Sequence, residues 1–181
     1  MAFVLVTGGV RSGKSRYAEE RVATVERVLY VATGMAWDDE MRERIARHAE
    51  RRPGHWGLLE AEGELVAPLM EALESGRWDG VLVDCLSTWV SRVLMDLPEE
   101  EWRSESTRRR VLLEAGLLAD VLSGSEKRSV VVTSETGLGG VAMSPLGRAF
   151  QDLLGEVNQV LAGQAEEMVL LVSGRPVRLS N

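Results

Sequence analysis

Gly8-Gly9-Val10-Arg11-Ser12-Gly13-Lys14-Ser15 decides the fold. The eight residues satisfy G-x-x-x-x-G-K-[ST], a pattern whose physical demand is specific. A polyphosphate needs many donors in a small volume. Glycines let successive backbone N–H groups turn inward, and the helix that follows adds its partial positive charge. Lysine suits the remaining role, because a compact ammonium on a flexible stem reaches the β- and γ-phosphates where a planar guanidinium is bulkier. Only Lys14 and Lys127 among the 21 basic residues are lysines, so Lys14 was not drawn from an abundant pool. The motif requires a buried strand before it and a helix after it. Phe3-Val4-Leu5-Val6 supplies the first, and residues 15–23, free of helix breakers, supply the second.

Working outward, apolar runs alternate with amphipathic stretches, which predicts an α/β fold with a mainly parallel sheet flanked by helices. The runs place strands at 3–6, 28–32, 81–83, 129–133 and 168–172. A terminal strand at 177–179, after a Gly174-Arg175-Pro176 turn, is expected antiparallel at the sheet edge. Helices are expected at 15–23, 39–50, 65–75, 87–95, 106–122 and 145–161. With 181 residues the chain reads as a single P-loop nucleotide-binding domain over 1–181. Hydrophobic residues at 45% and charged residues at 27% are ordinary for a globular protein. A net charge of −7 argues against a broad nucleic-acid surface, so phosphate binding has to be local. No apolar stretch is long enough to span a membrane, no signal peptide is expected, and the single cysteine, Cys85, rules out an intrachain disulfide. A cytoplasmic location is the default expectation.

In such a fold ligands collect at the carboxyl ends of the strands. Asp84 follows Val81-Leu82-Val83, where a P-loop site places its second Mg²⁺ ligand beside Ser15; read alone, Asp84 serves equally well as a helix cap. Thr33-Gly34-Met35 ends strand two and lines the pocket or merely connects. Glu135, in Ser134-Glu135-Thr136-Gly137-Leu138-Gly139-Gly140, lies where a carboxylate would take a hydroxyl proton from an acceptor, or else on a surface loop. On a helix, Arg44, His48 and Arg51 share one face, so guanidinium groups flank an imidazole. Neighbouring cations favour the neutral, nucleophilic form of histidine. From spacing alone, a solvated charged helix on which His48 is incidental is the better reading. His55 reads as a polar loop residue, Glu60 lies on a short possible strand, and the five tryptophans read mostly as packing.

Together these segments resemble the bifunctional adenosylcobinamide kinase/adenosylcobinamide-phosphate guanylyltransferases. The resemblance rests on Thr7 through the P-loop, Tyr30-Val31-Ala32-Thr33, Asp38-Asp39-Glu40-Met41, Arg44-Ile45 with His48 and Arg52-Pro53, His55-Trp56 with Glu60, Val83-Asp84-Cys85-Leu86, Glu135 with Gly137-Leu138-Gly139, and Leu146-Gly147-Arg148 with Asp152, Gly155, Asn158 and Gln159. It implies a RecA-like fold, a homotrimer, a corrinoid substrate, and GTP, ATP and Mg²⁺ as co-substrates and cofactor. It further implies that His48 carries a guanylyl group, which overturns the reading from spacing, and that Lys14 and Glu135 serve catalysis. The guanine nucleotide would contact Gly8, Gly9, Val10, Arg11, Ser12, Gly13, Lys14, Ser15, Thr33, Gly34, Met35, Ala49, Glu50, Arg51, Arg52, Glu60 and Asp84. The chain departs from the family pattern at Arg47, Arg92, Ser134 and Thr136. A single-activity small-molecule kinase and a non-catalytic nucleotide-binding subunit are the competing readings of the residues themselves.

Overall fold

A computed structural model describes residues 3–34, 39, 43, 53–61 and 63–179. The described strands are β1 (Val4–Gly8), β2 (Val28–Ala32), β3 (Gly57–Glu60), β4 (Gly80–Asp84), β5 (Arg128–Val132), β6 (Glu167–Val172) and β7 (Arg175–Leu179). They form one sheet in the order β3-β2-β4-β5-β1-β6-β7, with every pair parallel except β6 and β7. The described helices are α1 (Lys14–Val22), α2 (Val66–Glu74), α3 (Leu86–Met95), α4 (Glu105–Ser123) and α5 (Pro145–Ala162). No described helix is long and apolar enough to cross a membrane.

Alternation along the strands sorts the core into two layers, because successive side chains leave a strand on opposite faces. Leu5, Leu29, Val31, Val81, Val83 and Val131 pack with the apolar stripes of α2, α3, α4 and α5. Their neighbours Val6, Val28, Tyr30, Leu82, Val130 and Val132 pack with Ala18 and Val22 of α1. Both faces of the parallel strands are therefore covered, which explains their unbroken apolar runs. Trp89 fills the first layer, Trp78 and Trp102 pack against it, and Trp56 packs against the second, as packing residues should.

Most expected boundaries fall within a residue or two of the observed ones. The strands run on to Gly8 and Asp84 because ladder bonds need backbone, not apolar side chains. The C-terminal hairpin needs a correction. Its turn is Ser173-Gly174, both at positive φ (49° and 79°), the geometry of a tight two-residue connection. Pro176 thus lies within β7, opposite Leu171, on an edge strand where its missing N–H is tolerated. The helix expected at 39–50 lies outside the described residues save Asp39 and Glu43, both helical.

Candidate active site

The sheet brings the carboxyl ends of β3, β2, β4, β5 and β1 into a row, and the chain places Glu60, Thr33, Asp84, Glu135 and the phosphate loop along it in that order. At the β1 end, two glycines are obligatory. A side chain on Gly8 would lie 2.6 Å from the Leu171 carbonyl oxygen and 2.7 Å from Ser12 Oγ, and Gly13 sits at φ 95° as the N-cap of α1. Neither Gly13 nor any other N-cap side chain closes this helix, whereas Ser104 and Ser144 accept from the Thr107 and Gly147 amides to cap α4 and α5. The N-terminus of α1 carries a partial positive charge, and an anion is what it favours.

Lys14 is 8% exposed, and its Nζ donates to the Gly9 carbonyl at 2.7 Å, closing the loop around its own charge. Ser12 is equally buried, and its Oγ has no hydrogen-bond partner among the described residues. A buried hydroxyl without a partner is costly. A phosphate oxygen is an acceptor of the kind that would satisfy it. The loop leans on its neighbours through the Gly174 amide, which donates to the Ser12 carbonyl at 2.9 Å.

Asp84 is half-buried at the end of β4 and accepts from the Tyr30 hydroxyl at 3.0 Å. It does not cap α3, whose N-cap is Cys85. Thr33, 1% exposed, is committed to the chain beside it: its Oγ1 donates to the Cys85 carbonyl at 2.6 Å and lies 3.0 Å from the Cys85 amide. Only its backbone is left for a nucleotide. Ser15 and Gly34 are partly exposed, Glu60 is exposed, and Val10 and Arg11 stand out from the loop. His55 is exposed in a turn, as a polar loop residue should be. His48, Met35, Ala49, Glu50, Arg51 and Arg52 lie outside the described residues.

Glu135 is tied to the phosphate loop by its own backbone, its amide donating to the Gly8 carbonyl at 3.1 Å. Behind it stands a residue to which the motif reading gave no role. Asn158, 7% exposed on the inner face of α5, accepts from Thr133 Oγ1 at 2.6 Å and donates to the Ser134 carbonyl at 3.1 Å. It grips the two residues before Glu135. Its signal in the sequence was a lone amide in the apolar stripe Leu154, Val157, Leu161. Ser134 and Ser87 hydroxyls, 3.1 Å apart, bridge the ends of β5 and β4.

Hard oxygen donors at Ser15 and Asp84 fit Mg²⁺, which takes one or two protein ligands and completes its shell with water and phosphate oxygens. No cluster of three or more His, Cys, Asp or Glu side chains suited to a metal occurs among the described residues. A cavity of about 570 Å³ between α2, α3 and α4 contains none of the candidate residues. Its Glu114 caps α2 through the Leu65 and Val66 amides, and its Trp89 donates to the Gly63 carbonyl, both structural tasks.

Residues 4–179 match the family described as cobinamide kinase / cobinamide phosphate guanyltransferase. The bifunctional adenosylcobalamin biosynthesis protein CobU of Salmonella typhimurium is 38% identical over 180 residues, 97% of this chain and 98% of that protein. Its Escherichia coli counterpart is 37% identical over the same shares. The bifunctional adenosylcobalamin biosynthesis protein CobP of Pseudomonas aeruginosa is 39% identical over 176 residues, 97% of this chain and 95% of that protein.

Proposed function

The chain belongs to the cobinamide kinase / cobinamide phosphate guanyltransferase family, and from that membership we propose how its residues divide the two reactions. As a member it is a bifunctional enzyme that phosphorylates cobinamide and transfers a guanylyl group to the product, using nucleoside triphosphates. The single-activity kinase and the non-catalytic subunit fall away.

In the first reaction, adenosylcobinamide is the acceptor and ATP or GTP the donor. Glu135 takes the proton of the aminopropanol hydroxyl as its oxygen forms a bond to the γ-phosphorus and the bond to the β-bridging oxygen breaks. Lys14 and the first amides of α1 hold the charge that gathers on the departing diphosphate. In the second, a neutral His48 nitrogen attacks the α-phosphorus of GTP, and pyrophosphate leaves into the same cradle. The phosphate of the acceptor then displaces the imidazole, giving adenosylcobinamide-GDP and returning His48. Arg44 and Arg51 would keep the imidazole neutral and draw in the anions. Ser15 and Asp84 would hold Mg²⁺, which would supply neutralisation of phosphate charge.

The observation that carries this reading is the Glu135 amide on the Gly8 carbonyl, which sets a carboxylate-bearing residue at the mouth of the phosphate cradle. The row from Glu60 through Thr33 and Asp84 to β1 supports a nucleotide extended across the strand ends, with Thr33 and Gly34 under its middle and Glu60 toward its base; Met35 and residues 49–52 are assigned to the nucleotide by the family resemblance alone. The proposal includes a homotrimer in the cytoplasm, where nucleoside triphosphates are supplied. Incubation with α-labelled GTP tests the chemistry. Acid-labile label on the protein that moves to the corrinoid when adenosylcobinamide is added is the expected result. His48→Ala should abolish it while phosphorylation survives; a protein that transfers guanylyl without ever carrying label removes His48 from the mechanism.

A further inference from the structure

Four large apolar side chains stand far out of the surface: Met143 at 94% exposure, and Val10, Leu138 and Val141 at 81% each. The next most exposed among the described residues, Leu113 on α4, reaches 64%. All four belong to the two loops of the active site. Val10 lies in the phosphate cradle, and the others lie between β5 and α5. These loops leave the sheet side by side, since the Thr133 amide donates to the Val6 carbonyl and the Glu135 amide to the Gly8 carbonyl.

The exposure does not come from slack chain. Gln151 Nε2 donates to the Thr136 and Gly140 carbonyls at 3.1 and 2.9 Å, and its Oε1 accepts from the Ala142 amide at 2.9 Å. Arg148 donates to the carbonyls of Ala142 and Met143 at 3.2 and 2.8 Å. Two side chains of α5 thus pin the backbone beneath Leu138, Val141 and Met143 while those residues remain in water. Apolar groups left exposed on adjoining loops at the rim of a polar site mark a binding surface.

We propose that Val10, Leu138, Val141 and Met143 form the seat for the corrin macrocycle of the acceptor. This rests on the reading that Glu135 faces the acceptor hydroxyl. That hydroxyl hangs on a short arm, so the macrocycle carrying it has to lie against whatever adjoins Glu135, and that is this rim. A methyl-edged macrocycle matches four apolar side chains, whereas the phosphates and ribose of a nucleotide do not. The competing occupant is a second copy of this chain.

Leu138→Ser and Met143→Ser, combined in the full chain, test the seat. Equilibrium dialysis of cobinamide against the variant should show a Kd raised on the order of tenfold or more, while the Kd for GTP and the sedimentation mass stay at wild-type values. Each single variant should give a smaller shift in the same direction. An unchanged Kd for cobinamide overturns the proposal. So does a fall in assembly mass, which assigns the rim to contact between subunits, or an equal loss of GTP binding. Glu135→Gln separates the underlying reading: it should lower kcat of phosphorylation and leave cobinamide binding intact. If kcat survives, the base assignment fails while the dialysis result still judges the seat.

Discussion

The loop after β1 is shaped mainly by contacts within itself, with the Gly174 and Glu135 amides holding its Ser12 and Gly8 carbonyls, while the loop after β5 takes its shape from the side chains of another element. In the first, Gly13 turns the chain at φ 95°, Lys14 Nζ closes on the Gly9 carbonyl, and the Ser12 amide bonds to the Gly9 carbonyl at 3.3 Å. In the second, Asn158, Gln151 and Arg148 of α5 reach across to the Thr133 hydroxyl, the Ala142 amide and carbonyls between 134 and 143. Under the proposed division of labour the phosphate cradle would have one task in both reactions, which a local motif can serve. The proposed acceptor side would meet a hydroxyl in one reaction and a phosphate in the other, and it hangs from a helix whose side chains set its position.

The largest effect that would break this contrast is at the cradle. Lys14→Ala should cost both phosphorylation and guanylyl transfer roughly 10²–10³-fold in kcat/KM, the scale of losing a charged donor at a developing anion. The far-UV spectrum should be unchanged. Loss of one activity alone means that the two reactions do not share the cradle. Next comes Asn158→Ala, which leaves the Thr133 hydroxyl and the Ser134 carbonyl without their partner in a buried setting. The stability cost is roughly 1–3 kcal/mol by denaturant titration. Phosphorylation kcat should fall about tenfold with GTP affinity kept, because Asn158 bonds to Thr133 and Ser134 and not to the cradle itself. Equal damage to GTP affinity would show that the two loops are one unit.

The same difference explains what could be read from the sequence. The cradle is written in eight consecutive residues, and the sheet is written in apolar runs, so both were legible before any coordinates. Asp84 was ambiguous between metal ligand and helix cap; Cys85, not Asp84, is the N-cap of α3, which removes the cap reading. The grip of Asn158 on Thr133 and Ser134 spans about 25 residues of chain, and no local spacing rule reports it. Thr33, at the end of a strand, read as lining the pocket or merely connecting; its hydroxyl bonds to Cys85, 52 residues away, a contact no local spacing rule reports. The hairpin turn was misplaced because Gly-x-Pro is a strong breaker signal, while a serine at positive φ carries no signal at all.

Gln151 sharpens the contrast at smaller amplitude. Gln151→Ala removes three tethers from the loop after β5, but they lie near solvent, so water replaces much of what is lost. The expected stability change is about 1 kcal/mol or less. Its larger consequence should be a several-fold rise in KM for cobinamide with KM for GTP unchanged, since the loop it steadies carries Leu138 and Met143. A Tm lower than that of Asn158→Ala would reverse the proposed ranking of the two side chains.

At the opposite edge of the sheet the smallest effect is expected. Arg27 and Asp79, just before β2 and β4, form a two-point ion pair at 2.7 and 2.6 Å. The hydrogen bond from Arg27, then its charge, holds the Asp79 carboxyl below the usual carboxylate range, against the opposing pull of desolvation. A carboxylate with a lowered folded-state pKa contributes stability that is present above its unfolded pKa and disappears as pH falls through the folded value. Arg27→Ala should therefore leave both activities at wild-type rates and lower Tm slightly at neutral pH. The Tm difference should close as the solution is acidified below the ordinary aspartate pKa of about 3.9. This pair faces water on the side away from the strand ends, where ion pairs are weak. An activity loss in Arg27→Ala would mean that strain at the amino edge reaches the cradle through β2 and β4, and the division between a chemical edge and a structural edge would fall.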